Sequence, residues 1–269
     1  MKEAVVAYNK IESLMGVNED ISNAKRNIWI HLNKIDKAVE EMEKLAAAYP
    51  TEAQYQINIA DFYISKNLPE KALPYLKKAY NINPNNAHIN VSLYNYYVSS
   101  KNDEKAGEYL KRAFESPELN IDEKIRILMR YYNDKQNKDF AFELIDKLII
   151  AHPNDAKTWS IYADFLNINN RLKEAKEAFE KVHSIDNSKY ATWQQYLSIL
   201  LQLGLYNEAY QQSETAISLF PTQPAPYMAR GISAIAIGEP ESALPSLQEG
   251  LSFTANSEQI AEFNFFNYW

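Results

Sequence analysis

The chain has 269 residues, 46% of them hydrophobic, and a formal net charge of −7. This hydrophobic content is typical of a folded protein and excludes a wholly disordered chain. The acidic balance disfavours nucleic acid as a ligand, because neutralisation of phosphates supplies most of that affinity. Cysteine is absent from the chain, which excludes disulfides, thiolate zinc sites and thiol nucleophiles.

The first element predicted along the chain is an amphipathic helix over residues 3–15. Ala4, Tyr8, Ile11 and Leu14 share one face of this helix, and Gly16 follows as a turn residue. The same spacing returns later in the second helix of each helical pair. We therefore interpret residues 1–18 as the trailing helix of an incomplete repeat.

A period of 34 residues runs through the rest of the chain. Pro50 and Pro84 are 34 residues apart, and Pro153 and Pro221 are 68 apart, which is two periods. Each period contains two amphipathic stretches joined by a turn, which predicts stacked helix–turn–helix units. We predict one solenoid over 1–269, with full repeats at approximately 19–52, 53–86, 87–121, 122–155, 156–189, 190–223 and 224–257, and a further or capping helix over 258–269.

Small side chains recur where the two helices of a pair should approach each other. One alanine stands at position 20 of the repeats, as Ala72, Ala106, Ala141, Ala175, Ala209 and Ala243. Position 8 is also small in three repeats, as Ala60, Ala163 and Gly231, but it is bulky in three others, as Tyr94, Met129 and Leu197. Repeat 19–52 fits this pattern with its first helix about one residue out of register.

The pattern of repeat 53–86 is Ile59, Ala60, Tyr63, Ala72, Leu76, Ala79 and Pro84. This pattern resembles the tetratricopeptide repeat (TPR) family. Repeat 156–189 resembles it as well, although Asn187 replaces the proline. The resemblance covers nearly the whole chain and is closest to bacterial proteins with many such repeats. It implies an all-α fold, a TPR α-solenoid in which antiparallel helix pairs form a right-handed superhelix.

The resemblance also implies that the first helices line a concave groove that binds a protein or peptide. The residues that would face this groove are Asn58, Asp61, Ser65, Asn95, Arg126, Arg130, Asn133, Lys157, Asp164, Asn167, Gln194, Gln195 and Ser198. Amides and hydroxyls dominate this set and suit hydrogen bonding to an extended peptide backbone. The alternative interpretation is a solvated helix face without a ligand.

Some TPR domains clamp a C-terminal carboxylate with lysine, arginine and asparagine from three consecutive repeats. Arg126 and Arg130 match the first pair in charge, but Ile161, Ala191 and Gln195 stand where the other ligands would be, so we reject the clamp. Spaced by one helical turn, the two arginines are suited to hold a single acidic group. An ion pair with Asp164 or Glu123 is the alternative.

The sequence carries no catalytic or metal-binding signature. HExxH, GxSxG, GxGxxG and Walker motifs are absent, so we expect that the protein is not an enzyme and binds no cofactor. The 4 histidines lack metal-like spacing, and we expect them to be surface or turn residues. Phe263, Phe265, Phe266, Tyr268 and Trp269 make the C-terminus aromatic. These rings either cap the last helix or provide a surface for self-association.

Three functions remain open from the sequence. The first is a non-catalytic scaffold for protein–protein interaction. The second is the interaction arm of a larger protein, either envelope-anchored or not, because the chain starts within a repeat. Bacterial chains that it resembles carry export or lipid-attachment signals upstream. We therefore expect the cell envelope or periplasm rather than the cytoplasm. The third is an RNA-binding helical repeat, which the net charge disfavours. No apolar run approaches the roughly 18 residues that span a bilayer, so we expect no membrane insertion of this segment.

Overall fold

The computed structural model describes residues 2–134 and 136–254. Within these residues it contains fifteen α-helices and no β-strand. The chain divides into two compact units, Met1–Asn120 and Ile121–Trp269. The all-α fold predicted from the sequence is therefore confirmed for the described residues. None of the helices in this part of the chain is long and apolar enough to cross a bilayer.

The first unit contains seven helices, in which α1 precedes three helical pairs. These helices are α1 (Lys2–Met15), α2 (Glu19–His31), α3 (Ile35–Ala48), α4 (Ala53–Ser65), α5 (Pro69–Ile82), α6 (Ala87–Ser99) and α7 (Asp103–Glu115). Within the pairs, α2 packs on α3, α4 on α5 and α6 on α7, and each pair also contacts the next through α3 with α4 and α5 with α6.

The second unit contains four helical pairs in its described part. Its helices are α8 (Ile121–Leu128), α9 (Lys138–Ala151), α10 (Ala156–Ile168), α11 (Leu172–Ile185), α12 (Tyr190–Gln202), α13 (Tyr206–Leu219), α14 (Pro224–Ile237) and α15 (Pro240–Ser252). Successive pairs contact each other through α9 with α10, α11 with α12 and α13 with α14. Each unit is thus a stack in which a helical pair covers its neighbour.

In six of the seven pairs of the described chain, the turn inside the pair reverses the chain through one residue in the left-handed conformation. Residues with positive φ in these turns are Asn33, Asn67, Lys101, Asn170, Gly204 and Gly238. The next residue closes the turn: the N–H of Leu68 donates to the Tyr63 carbonyl, and that of Arg171 to the Leu166 carbonyl, both at 2.9 Å. This is the Schellman pattern, in which asparagine and glycine tolerate the left-handed residue best.

The turn between pairs is held by a side chain from the following helix. The indole N–H of Trp159 donates to the Pro153 carbonyl at 2.8 Å, and that of Trp193 to the Asn187 carbonyl at 2.9 Å. Similar bonds to the carbonyl six residues earlier are made by Asn90 and Tyr227, at 2.8 Å each. The residue at position 4 of a repeat therefore both packs and satisfies the carbonyl of position 32 in the preceding repeat, whether that residue is Pro153 or Asn187.

The alanines predicted at the contact between paired helices are buried. Their exposures are 0–3%, for Ala72, Ala106, Ala141, Ala175, Ala209 and Ala243. The contact is tightest at Gly231, where an added Cβ would lie 2.5 Å from Cγ and Cδ2 of Leu247. The bulky residues at position 8 behave differently: Tyr94 and Leu197 are buried, whereas Met129 is 49% exposed.

The register predicted for the first full repeat was wrong by one residue. Helices α2 and α4 begin at Glu19 and Ala53, which are 34 residues apart, so no shift exists between them. The apparent shift arises because position 7, which is Ile59 in α4, is Lys25 in α2. Lys25 has no exposed surface, and its ammonium lies 2.7 Å from Glu12 and 2.6 Å from Glu41. A buried ion triad thus replaces an apolar contact, although the helix is in register.

Two further expectations about helices were wrong. In α1 the residue that packs inward is Val5, and Leu14, expected on the buried face, is 81% exposed. Helix α8 ends at Leu128, and the chain continues in tighter turns, with the Arg130 N–H donating to the Ile127 carbonyl at 3.1 Å. Arg130 and Asn133 therefore lie beyond this helix, and Arg126 and Arg130 do not share a helical face.

We expect Gly231→Ala to destabilise the second unit by about 1–3 kcal/mol, since the new methyl group overlaps Leu247 in a closely packed contact. In a Leu247→Ala background the same substitution meets no such obstacle. There it should stabilise by up to about 1 kcal/mol, because alanine favours the helix over glycine. Urea unfolding followed by circular dichroism measures both. An equal effect in the two backgrounds would contradict the close approach.

We expect Lys25→Leu to destabilise the first unit by about 3 kcal/mol, because it leaves the partly buried Glu12 carboxylate without a cation and Glu41 with only the exposed Lys44, at 3.2 Å. The matched control is the triple variant Lys25→Leu, Glu12→Leu and Glu41→Leu, which removes all three charges. It should unfold within about 1 kcal/mol of the wild-type protein in urea. If the single variant is as stable as the triple one, the triad does not hold this helix in place.

Candidate functional site

In the first unit, three of the predicted site residues line one cleft. This cleft is shallow and wide open to solvent, has a volume of about 410 Å³, and is lined by Arg26, Ile30, Met42, Asn58, Asp61, Phe62 and Ser65. Helix α2 contributes the first two of these residues, α3 contributes Met42, and α4 contributes the rest. Asn95, the fourth predicted residue in this unit, is exposed on α6 and lies outside the cleft.

The polar groups that α4 presents to the cleft are partly engaged within the helix. The Asn58 side chain accepts a hydrogen bond from the Gln54 amide at 2.9 Å, and the Ser65 hydroxyl donates to the Phe62 carbonyl at 2.7 Å. Partial burial raises the pKa of the Asp61 carboxyl, and the His88 imidazole opposes this effect. The Asn58 amide N–H groups and the Asp61 carboxylate are therefore the groups of α4 that can meet a ligand.

Sequence reasoning did not find Arg26, although it is the cation of this cleft. Arg26 stands at position 8 of its repeat, where Ala60 and Ala163 stand in two others, and its long side chain extends into the cleft. Its Nε is buried without a hydrogen-bond partner, and its one hydrogen bond to a side chain is a long one, 3.4 Å, to Asn27. Among the described residues it forms no ion pair.

In the second unit, one of the two predicted residues after α8 lines a cleft. Asn133 lines a cleft of about 240 Å³ together with Tyr131, Tyr132, Phe165 and Ile168. Arg126 is exposed on α8. The ion pair considered for Arg126 with Asp164 or Glu123 does not form within the described part of the chain. Arg130 is exposed beyond the end of α8.

The remaining predicted residues of this unit lie on α10 and α12. Lys157 pairs with Asp122 at 2.6 Å across a solvent-exposed gap, so its charge is already matched. Ser198 accepts a hydrogen bond from Gln202 at 3.1 Å, Asn167 is half-buried, and Gln194 is exposed. Of these four side chains, Lys157, Gln194 and Ser198 are exposed to solvent.

Asp164 and Gln195 are brought together across α10 and α12. Burial raises the pKa of the Asp164 carboxyl to about 6, and a hydrogen bond with the Gln195 side chain opposes this shift. One carboxyl oxygen, Oδ1, is buried and has no hydrogen-bond partner. Asp164 is therefore the predicted site residue in this unit whose environment is most strongly perturbed.

One of the four histidines departs from the expectation of a surface or turn residue. His183, within α11, stacks on the Trp193 indole with ring centroids 4.0 Å apart, and burial lowers its pKa to about 4. The described residues contain no cluster of three His, Asp or Glu side chains that could hold a metal ion. The aromatic residues predicted for self-association, Phe263 to Trp269, lie outside the described residues.

Comparisons with known proteins bear on the identity of these helical pairs. Residues 53–86 and 190–223 match the family model described as Tetratricopeptide repeat. No curated protein matches the chain.

Solved structures that resemble the chain include YrrB, described as a TPR protein with an unusual peptide-binding site. YrrB is 17% identical over 83% of this chain and 97% of its own, with a TM-score of 0.39. Yeast Tom70 is 17% identical over 99% of this chain and 58% of its own, with a TM-score of 0.48. MamA is 15% identical over 76% of this chain and 97% of its own, with a TM-score of 0.42. Residues 53–86 and 190–223 are therefore tetratricopeptide repeats, and helical pairs recur around them in the described part of the chain.

Proposed function

We propose that the chain is a non-catalytic scaffold that holds a protein or peptide partner against the exposed face of its first helices. The tetratricopeptide-repeat fold supports protein–protein interaction in general. The observation that carries the specific proposal is the cleft of about 410 Å³ between α2 and α4, which brings together Asn58, Asp61 and Ser65. The partner would be an extended segment that places its polar groups in this cleft.

Arg26 is the positively charged residue of this cleft. The N–H groups of its guanidinium that face the cleft would donate to a carbonyl or carboxylate oxygen of the partner, and such charge-assisted hydrogen bonds are stronger than those between neutral groups. The amide N–H groups of Asn58 lie in the same cleft and would hold a second acceptor of the same segment.

The composition of the cleft favours a peptide over a small cofactor or a nucleic acid. Ile30, Met42 and Phe62 supply apolar surface for a side chain, and the polar groups lie beside them. A mixture of this kind suits a polypeptide, which alternates backbone polar groups with side chains. Only one cation, Arg26, lines the cleft, and a nucleic-acid groove needs several to neutralise its phosphates.

We expect the double variant Arg26→Ala and Asn58→Ala to lose at least about tenfold in partner affinity, because charge-assisted and amide hydrogen bonds are removed together. The partner is identified first by affinity capture on the wild-type chain from native cells, with mass spectrometry. Its affinity for each variant is then measured with purified components. Circular dichroism should show the same helicity and thermal midpoint, to within a few degrees, for all variants.

The matched control is Lys77→Ala, which removes one cation from the outer face of α5. Lys77 is exposed and lies on a second helix, away from the cleft. This variant should bind the partner as the wild-type chain does. A partner that binds the double variant and the control equally well would show that the cleft is not its site.

A further inference from the structure

Each second helix packs one stripe of side chains against the first helix of its own pair. The stripe stands at positions 20, 24 and 27 of the repeat, which in α3 are Ala38, Met42 and Leu45. These three side chains are at most 7% exposed. The residues at the same positions of α5, α7, α9, α11, α13 and α15 are buried as well. In every described pair, a first helix therefore covers this stripe.

Helix α1 carries the same stripe, but no first helix covers it in the described part of the chain. The period of 34 residues places Ala4, Tyr8 and Ile11 at positions 20, 24 and 27. Ala4 and Tyr8 are half-buried, and Ile11 is 39% exposed. Leu14 and Met15 extend this apolar surface at the end of the helix, with exposures of 81% and 73%. Within the described residues, α1 is thus a second helix whose contact face is open.

A different face of α1 holds this helix on the stack. Val5 is 5% exposed, and the Glu12 carboxylate lies 2.7 Å from the ammonium group of the buried Lys25 on α2. At about 3.6 residues per turn, the face of Val5 and Glu12 is centred roughly a quarter turn from the stripe. Helix α1 can therefore stay attached to α2 while a further helix lies on the stripe.

The other pairs indicate what kind of segment fits the stripe. It is an antiparallel first helix with apolar side chains at positions 8 and 11. Residues 258–269 lie outside the described residues, and the period predicts from the sequence that they begin such a helix, with Phe265 at position 8 and Tyr268 at position 11. Position 8 meets position 24 in the closest contact of the described pairs, so Phe265 would meet Tyr8.

We propose that α1 is a docking surface for a second copy of this chain, whose residues 258–269 lie on the stripe as its first helix. The two segments complete one repeat and continue the stack from copy to copy. Repeats of a solenoid contact only their neighbours in sequence, so we assign the covering helix to a second copy and not to the same chain. Such a head-to-tail contact is heterologous and forms rings or open chains. Because α1 does not line the cleft between α2 and α4, this inference is independent of the proposed function.

The first test measures the mass of the full chain by analytical ultracentrifugation over a series of concentrations. The average mass of the wild-type chain should rise above the 31.0 kDa of one copy as the concentration increases. Ile11→Asp should stay at 31.0 kDa over the same series, because it places a charge in an apolar contact. Phe265→Asp should do the same from the other side of the contact.

The matched control for this test is Ile150→Asp. Ile150 on α9 is 78% exposed, so the variant adds the same charge to an apolar surface residue outside α1. Its mass should rise with concentration as that of the wild-type chain does. Circular dichroism should show the same helicity for all three variants. A lower mass is then a loss of the contact between copies and not a loss of folding.

The second test joins the two segments by a disulfide, which is simple to read because the chain contains no cysteine. With position 8 opposite position 24, Ile11 at position 27 lies opposite positions 4 and 5 of the covering helix, and Ala261 is position 4. Mild oxidation of an equal mixture of Ile11→Cys and Ala261→Cys should give more mixed disulfide than the half expected from random pairing. Ile150→Cys in place of Ile11→Cys should give the random proportion.

Three results would overturn the inference. The first is a wild-type chain that stays at 31.0 kDa at every concentration, or equal behaviour of the Ile11 and Ile150 variants. The second is association that is lost in Ile11→Asp but survives in Phe265→Asp, which would mean that α1 pairs with another segment. The third is a disulfide that forms within one chain in the double variant Ile11→Cys and Ala261→Cys. Ile11→Asp should still bind the partner of the cleft, so failure here leaves the proposed function standing.

Discussion

The close approach of the two helices in each pair is the constraint on which the rest of this structure depends. Helix axes can come this near only where the facing side chains are small, and here alanine or glycine occupies the contact. Gly231 shows how little room remains, because even a methyl group would overlap Leu247. Once the pair is closed, its second helix presents larger side chains such as Leu76 and Phe179 to the core, and both are fully buried. The stack follows from repeating this arrangement.

The same constraint decides which surface is left for recognition. A first helix buries one face against its own second helix and another against the neighbouring pair. The residues on its remaining face are under no packing requirement and can vary from repeat to repeat. Asp61, Asn95, Asp164 and Ser198 occupy one such position and differ in charge and hydrogen bonding. A regular core therefore carries a polar surface whose residues differ from repeat to repeat. Under the proposed function, these differences would give the surface its preference for one partner.

The period, the helical pairs and the buried alanines could be predicted from the sequence, because each depends on side-chain size at fixed spacing. Where the prediction failed, size was not the deciding property. Lys25 occupies a position that is isoleucine or leucine in the next three repeats, and it is buried because Glu12 and Glu41 reach it from α1 and α3. Such a triad is formed by three separate helices, and no periodicity within one of them can reveal it.

The early end of α8 and the role of Arg26 were missed for related reasons. Helix α8 carries the same apolar spacing as the other first helices, but the chain leaves it through tight turns after Leu128. The size of Trp159 and Trp193 is also not their only property that matters, because their hydrogen bonds to turn carbonyls depend on the polar edge of the indole. Arg26 fell at a position assigned to packing and was not considered as a ligand.

Arg26 and Asp164 share a property that the fold itself does not explain. Each has a polar atom that is buried and unpaired, and each stands where other repeats carry a residue that would cost less. Arg26 takes the position of an alanine, and Asp164 that of an asparagine or a serine. They are not alone in this, since Glu12 Oε1 and Arg230 Nε are also buried without a hydrogen-bond partner. A stack held together by apolar contacts and alanines is stable enough to tolerate several such atoms. In this protein the helical core supplies the stability, and the exposed face of the first helices is where we propose that a partner binds.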